Sequence, residues 1–203
     1  MRFSVHHATR FQFDRPSGHS IHDVRLTPKP AAAQRIVSWH IDGPGKKSEW
    51  KDGHGNQVTT FSVAQQHDSV EIVVQGIYEY SGTDQWLRYV EEPTLPAPFW
   101  LRNTGLARHD ASFDPVIEGL ADRAADPTQR VAVLHELMER ISSRVAYKTG
   151  VSTVNTTAVE ALTRGAGVAQ DEAHIFIACC RRHGVPARYA RGCIRNADHE
   201  GNA

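Results

Sequence analysis

The chain has 203 residues, with 23 Lys+Arg against 23 Asp+Glu, so it is neutral when its 12 histidines are uncharged. That balance argues against a general nucleic-acid binder, which carries a basic excess, and the length allows one or two domains. With 40% apolar and 8% aromatic residues the chain can build a real core, yet no run approaches the ~18 apolar residues of a membrane-spanning helix.

The N-terminal Met1-Arg2-Phe3-Ser4-Val5-His6-His7 lacks the apolar stretch of a signal peptide. Cys179, Cys180 and Cys193 are a sparse, odd set. Together these predict a cytoplasmic protein in a reducing compartment, without a disulfide framework. The first eighty residues read as β. Phe3 and Val5 alternate with polar neighbours, and Phe11 and Phe13 do so again before Asp14-Arg15-Pro16. Val24–Thr27 and Ile36–Ile41 are further alternating runs, the second closed by Asp42-Gly43-Pro44-Gly45. Asp52-Gly53-His54-Gly55-Asn56 separates Trp50 from Val58–Val63, the pattern of a hairpin, and Val70–Tyr80 is one more strand. The turn lacks the spacing of a calcium or phosphate loop. Five or six such strands predict an antiparallel sheet or small sandwich.

The character changes near Ser81-Gly82-Thr83-Asp84, and Pro93, Pro96 and Pro98 mark a connecting segment with Trp86, Phe99 and Trp100 nearby. The division expected is a β-rich N-terminal domain, 1–85, and a second domain, 86–203, which opens as helix. Asp126, Pro127 and Gln129 have capping-box spacing. Val131, Leu134, Met138, Ile141 and Val145 then recur as one apolar stripe. Thr157 and Glu160 predict a second capping box, on a short helix that Gly165 ends.

The next helix, Ala169 to His183, carries the most information. Gly167 precedes it, Gly184 fits the position after its end, and Pro186 stops it. Ala173 and Ile175 through Cys180 are apolar nearly all round, which predicts a buried central helix. A cysteine on the first turn of such a helix would feel the positive end of the macrodipole and free N–H groups. Its thiol pKa would fall, and the same N–H groups could hold an oxyanion. The first-turn position here is Ala169, which has no nucleophile. Cys179 and Cys180 lie in the wrong half of the helix and read as core residues. Asp171 and Glu172 read as partners of the helix dipole. His174, three residues after Asp171, reads as a hydrogen-bonded histidine, because no second ligand cluster accompanies it. No metal and no cofactor is expected. Arg188–Ile194 reads as the start of a strand.

Gly167-Val168-Ala169-Gln170-Asp171-Glu172-Ala173-His174, the apolar run after it, and Gly184-Val185-Pro186-Ala187-Arg188-Tyr189 resemble the nucleophile helix of bacterial transglutaminase-like proteins. That family usually reads G-V-C-Q-D-x-A-H and then G-[IV]-P-A-R-Y at these places. Tyr147–Ala161, with Ser152-Thr153 and Thr156-Thr157, is similar to its approach to the nucleophile. The run from His7 to Pro16 and Asp52–Asn56 resemble the β-rich extension that precedes the core in one bacterial branch. The resemblance implies an α+β chain, with an N-terminal antiparallel sheet or sandwich followed by a C-terminally incomplete papain-like core. It also implies Cys–His–Asp chemistry on a peptide or protein amide: a thiolate attacks the carbonyl, and a thioester passes the acyl group to an amine or water.

The departures are specific. Ala169 stands at the nucleophile position, flanked by Gly167, Val168, Gln170, Asp171 and His174. The family's His in an S-H-A-W-like strand, and the later Asp, have no match before Ala203. His199, in Asp-His-Glu-Gly, does not fit that context. An engineered alanine, a natural pseudoenzyme that binds peptide or protein without cleaving it, and a fragment of a longer chain each account for this. An incomplete core is expected to expose Ile175, Phe176 and Ile177 and to favour self-association. Tyr147, Trp86 and Trp100 are candidate lining residues of a substrate groove.

Overall fold

Alternation of apolar and polar residues along the first eighty positions folds as six strands. They are β1 (Arg2–Ser17), β2 (Ser20–Val24), β3 (Gln34–Asp42), β4 (Lys46–Lys51), β5 (Gln57–Val63) and β6 (His67–Tyr80). The computed structural model describes residues 1–29, 33–81 and 95–190, and the chain divides into two units, Met1–Leu95 and Pro96–Ala203. In the first unit the strands form two antiparallel sheets, in the orders β1-β6-β3 and β2-β5-β4. Val70, Ile72 and Val74 lie two residues apart on β6, so all point to one face. They meet Phe61 and Val63 of β5 and Ile41 of β3 in one buried cluster that joins the two sheets. Each such side chain contributes about 1.5–3 kcal/mol by leaving water.

Three local details fix the register. The predicted hairpin pairs Lys51 with Gln57 across the Asp52–Asn56 turn. Gly76 on β6 leaves room for the Trp39 ring: a Cβ there would stand 2.1 Å from Trp39 Cε3. The Trp39 indole N–H donates to the Leu26 carbonyl at 3.0 Å. Finally, the register of β3 against β6 shifts between Ile36 and Ser38, and this bulge leaves Val37 exposed.

The second unit is mainly helical. It contains α1 (Ala97–Trp100), a 3-10 turn (Ala111–Phe113), α2 (Asp114–Ile117), α3 (Ala121–Ala125), α4 (Arg130–Ser142), β7 (Ala146–Tyr147), α5 (Ala158–Arg164), β8 (Ala166–Gly167) and α6 (Ala169–Arg182). Phe113, Leu120, Leu137, Ile141, Ala161, Ile175 and Cys179 belong to one buried cluster. α5 has the predicted capping box, Thr157 with Glu160, and ends at Gly165 with φ 67°.

Two expectations need correction here. The apolar stripe of α4 is correct in part: Ile141 and Val145 are buried and Leu134 packs on the core, but Val133 and Leu137 are buried in place of Val131, 64% exposed, and Met138, 49% exposed. Both sets satisfy helical spacing, and packing against α3 and α6 selects between them. The helix also begins later, at Arg130, because Asp126 is committed to the turn before it. Its Oδ1 accepts from the Thr128 N–H at 2.8 Å, and its Oδ2 accepts from the Gln129 amide at 2.8 Å. The second correction concerns α6, where Ile175 and Ile177 are buried and only Phe176 keeps partial exposure. α4 and α5 cover this helix, so the apolar run is not a bare face. Of the expected strand Arg188–Ile194, residues 188–190 are irregular, and the remainder lies outside the described residues.

Candidate functional site

The entry of α6 is held from behind by backbone hydrogen bonds. β7 and β8 pair in parallel, with Ala146 opposite Ala166 and Tyr147 opposite Gly167. The Ala146 N–H donates to the Gly165 carbonyl at 2.9 Å, and the Lys148 N–H donates to that of Gly167 at 2.7 Å. These bonds fix residues 165–167 and deliver the chain to Val168, whose extended backbone caps the helix.

Asp171 then closes the turn. Its Oδ2 accepts from the Val168 N–H at 2.7 Å and from the Ser152 hydroxyl at 2.6 Å. This is the return half of a capping box, with the third helical residue reaching back to the N-cap. Asp171 and Glu172 lie in the first turn, as expected of partners of the dipole, but complementing the dipole is not all that Asp171 does. It is 1% exposed and ties the 151–153 loop to the helix. Thr156 supports that loop, its Oγ1 accepting from the Thr153 N–H at 2.9 Å. The other Asp171 oxygen, Oδ1, is buried with no hydrogen-bond partner among the described residues.

Ala169 is the first residue of the 14-residue α6, and it is exposed. The N–H groups of Asp171 and Glu172 reach the Val168 carbonyl at 2.8 and 3.2 Å. Those of Ala169 and Gln170 have no carbonyl one turn back to accept them. An exposed side chain beside N–H groups without a partner among the described residues, at the positive end of a helix of about four turns, suits a thiolate or an oxyanion. A methyl exploits neither property. Of the flanking residues, Gly167 is buried, and Val168 and Gln170 are half-buried.

His174 lies one turn further on and is buried. Its ring centre is 5.3 Å from that of Tyr189, and its Nδ1 has no hydrogen-bond partner among the described residues. Burial pushes its pKa below the ordinary 6.5, and the Asp171 charge pulls the other way. Among the described residues no group of three or more His, Cys, Asp or Glu is placed to hold a metal ion. Cys179 and Cys180 are buried free thiols, and burial is the first reason both are pushed up to about 12. Cys193, His199 and Trp86 lie outside the described residues. Tyr147 is 68% exposed and Trp100 is half-buried.

Two contributors were not singled out from the sequence. Ser152 stood out only as part of a Ser/Thr-rich approach. Arg181 clamps the far end of α6. Its Nε and one terminal nitrogen donate to the Ala187 carbonyl at 3.1 and 2.9 Å. The other terminal nitrogen donates to the Arg102 carbonyl at 3.0 Å and to Thr104 Oγ1 at 2.9 Å. An arginine next to an apolar run gives no hint of such carbonyl partners.

Comparison with known proteins agrees with this layout. Residues 3–79 match the bacterial transglutaminase-like N-terminal region, and residues 118–202 match the transglutaminase-like superfamily. An uncharacterized protein of Mycobacterium tuberculosis is 29% identical over 207 residues, covering 95% of this chain and 66% of its own length. One of Mycobacterium leprae is 26% identical, covering 95% of this chain and 71% of its own length. The chain thus spans about two thirds of the length of these curated relatives. Among solved structures, a "Putative Cysteine Protease" from Cytophaga hutchinsonii matches with a TM-score of 0.66 and 18% identity. That match covers 92% of this chain and 65% of the other, and the likeness is one of fold.

Proposed function

We propose, for a chain that belongs to the transglutaminase-like superfamily, that the entry of α6 is an acyl-transfer site with Ala169 in the place of the nucleophilic cysteine. In this form the site binds a peptide or protein amide and does not cleave it. The observation that supports the reading is the exposed Ala169 on the first turn of α6, beside the N–H groups of Ala169 and Gln170, which have no partner among the described residues.

With a thiol at position 169, the local chemistry would run in one direction. The helix dipole and free N–H groups favour the thiolate. The thiolate attacks an amide carbonyl, and the oxyanion that forms is stabilised by backbone N–H groups. The leaving nitrogen takes a proton from water and departs as the amine, and the thioester transfers its acyl group to water or to a second amine. Hydrolysis is preferred to cross-linking on family analogy alone. Asp171, Ser152 and Gly167 hold the turn in place.

The test is an Ala169→Cys variant treated with iodoacetamide and mapped by mass spectrometry. Position 169 should be modified well before Cys179 and Cys180, with a reaction pKa below the ~8.5 of a free cysteine. Equal labelling of all three, or an unshifted pKa at position 169, would overturn the assignment.

A further inference from the structure

Away from α6, in the β unit, two imidazoles converge on one hydroxyl. His67 Nε2 lies 2.8 Å from Ser20 Oγ, and His22 Nε2 lies 2.9 Å from the same oxygen. Ser20 and His22 are two residues apart on β2, so they share a face. His67 opens β6, in the other sheet. Hydrogen bonding sets the tautomers. His67 Nδ1 is 2.6 Å from the Gln65 carbonyl, and a carbonyl only accepts, so Nδ1 carries the proton. In neutral His67, Nε2 is therefore a lone pair, and the Ser20 hydroxyl donates to it. The remaining capacity of Oγ accepts from the Nε2–H of His22.

The surroundings hold the two rings in place. Phe13 lies edge-on to His67 with centres 5.5 Å apart, and Phe11 lies against His22 at 5.5 Å. Burial first, and then the nearby His67, lower the pKa of His22, a direction that favours its neutral form.

We propose that His22, His67 and Ser20 form a binding site for a divalent transition-metal ion of the kind that prefers imidazole, such as Zn2+ or Cu2+. The two Nε2 atoms ligate, and the Ser20 hydroxyl or water fills a further position. Neutral imidazole is the ligating form. A ligand His whose other N–H is anchored on a backbone carbonyl is the usual outer-shell arrangement of a metal site, and His67 already has it. His22 needs only to move its proton from Nε2 to Nδ1, and that proton stays on the ring. With two protein nitrogens the site is exchangeable and favours Cu2+ over Zn2+, following the general order of divalent affinities.

The experiment is titration of the metal-free chain with Zn2+ by calorimetry and with Cu2+ by electron paramagnetic resonance. It uses the wild type and the variants His22→Gln and His67→Gln, with circular dichroism to confirm that each variant is folded. One saturable equivalent is expected, with two nitrogen ligands in the copper spectrum. Binding should weaken by about tenfold or more in either variant, and also in acid, because protons compete with the metal for its ligands. Should a variant not fold, Zn2+ protection of His22 and His67 against diethylpyrocarbonate in the wild type takes its place. The absence of a saturable equivalent, equal binding by the folded variants, or no protection of these two histidines would overturn the proposal.

Discussion

Gly167 lacks a side chain where the Asp171 carboxylate needs the space: a Cβ at position 167 would stand 2.8 Å from both the Cβ and the Oδ2 of Asp171. The same oxygen accepts from Val168 N–H and Ser152 Oγ, so a Gly167→Ala methyl must displace the atom that closes the first turn of α6. Overpacking of this kind costs about 1–3 kcal/mol. Gly167→Ala is expected to lower the urea midpoint accordingly. In an Ala169→Cys background it should also slow alkylation at position 169, because the turn that presents the thiol is disturbed. An unchanged midpoint and unchanged alkylation rate would show that Asp171 relaxes without consequence.

Cys179 and Cys180 supply an internal control for reactivity on the same helix. Both are buried, and burial holds both thiols at about 12, so almost no thiolate exists at neutral pH. A thiol reagent at pH 7.5 is expected to leave them unmodified in the native chain and to modify both in denaturant. Native-state labelling at the rate of an unfolded cysteine would contradict their place in the core.

What was legible in the sequence was whatever acts between near neighbours. Alternation of Phe3 with Val5, and of Val70 with Ile72 and Val74, marks strands because each residue type reports its own face. Thr157 and Glu160 mark a helix start because the whole capping box lies within four residues. The glycine, the following turn and the apolar run of α6 were legible for the same reason. The buried face of α4 was legible only in part: two interleaved stripes have helical spacing, and only the position of α6 and α3 decides between them. The clasp on Asp171 was hidden too, because its partner Ser152 lies 19 residues away and serine is common in loops. Arg181 follows the same rule, with partners at Arg102 and Thr104 more than seventy residues distant.

Asp52 gives the β unit an acid-sensitive hinge point. Its carboxylate is nearly buried and accepts from Arg25 Nε at 2.8 Å, the His54 N–H at 3.0 Å, and both the backbone and side-chain N–H of Asn56 at 2.9 and 3.0 Å. Burial raises its pKa, but the hydrogen bonds from Arg25, Asn56 and His54 outweigh that and hold it well below the ordinary 3.8. The folded chain therefore binds fewer protons here than the unfolded one. The resulting stability is present above pH 3.8 and is lost progressively as the pH falls below it. Asp52→Asn is expected to lower stability at pH 7 and to flatten the acid limb of the stability curve between pH 4 and 2.5. An acid limb as steep as that of the wild type would place the proton uptake elsewhere.

Four histidines work at milder pH. Burial is the leading reason that His22, His109, His174 and His183 all sit below the ordinary 6.5. Unfolded, each binds a proton near pH 6.5; folded, each resists it to a lower pH. The unfolded state thus holds more protons in the window just below 6.5, and stability rises with pH through that window and levels off above it. His174 is the most deeply buried of the four and has an unpaired Nδ1 among the described residues. His174→Phe keeps a ring against Tyr189 and removes the titrating group. Urea unfolding from pH 5 to 8 should show wild-type stability falling below pH 6.5 and a shallower fall in His174→Phe. Superimposable profiles for the two proteins would exclude His174 from the acid response.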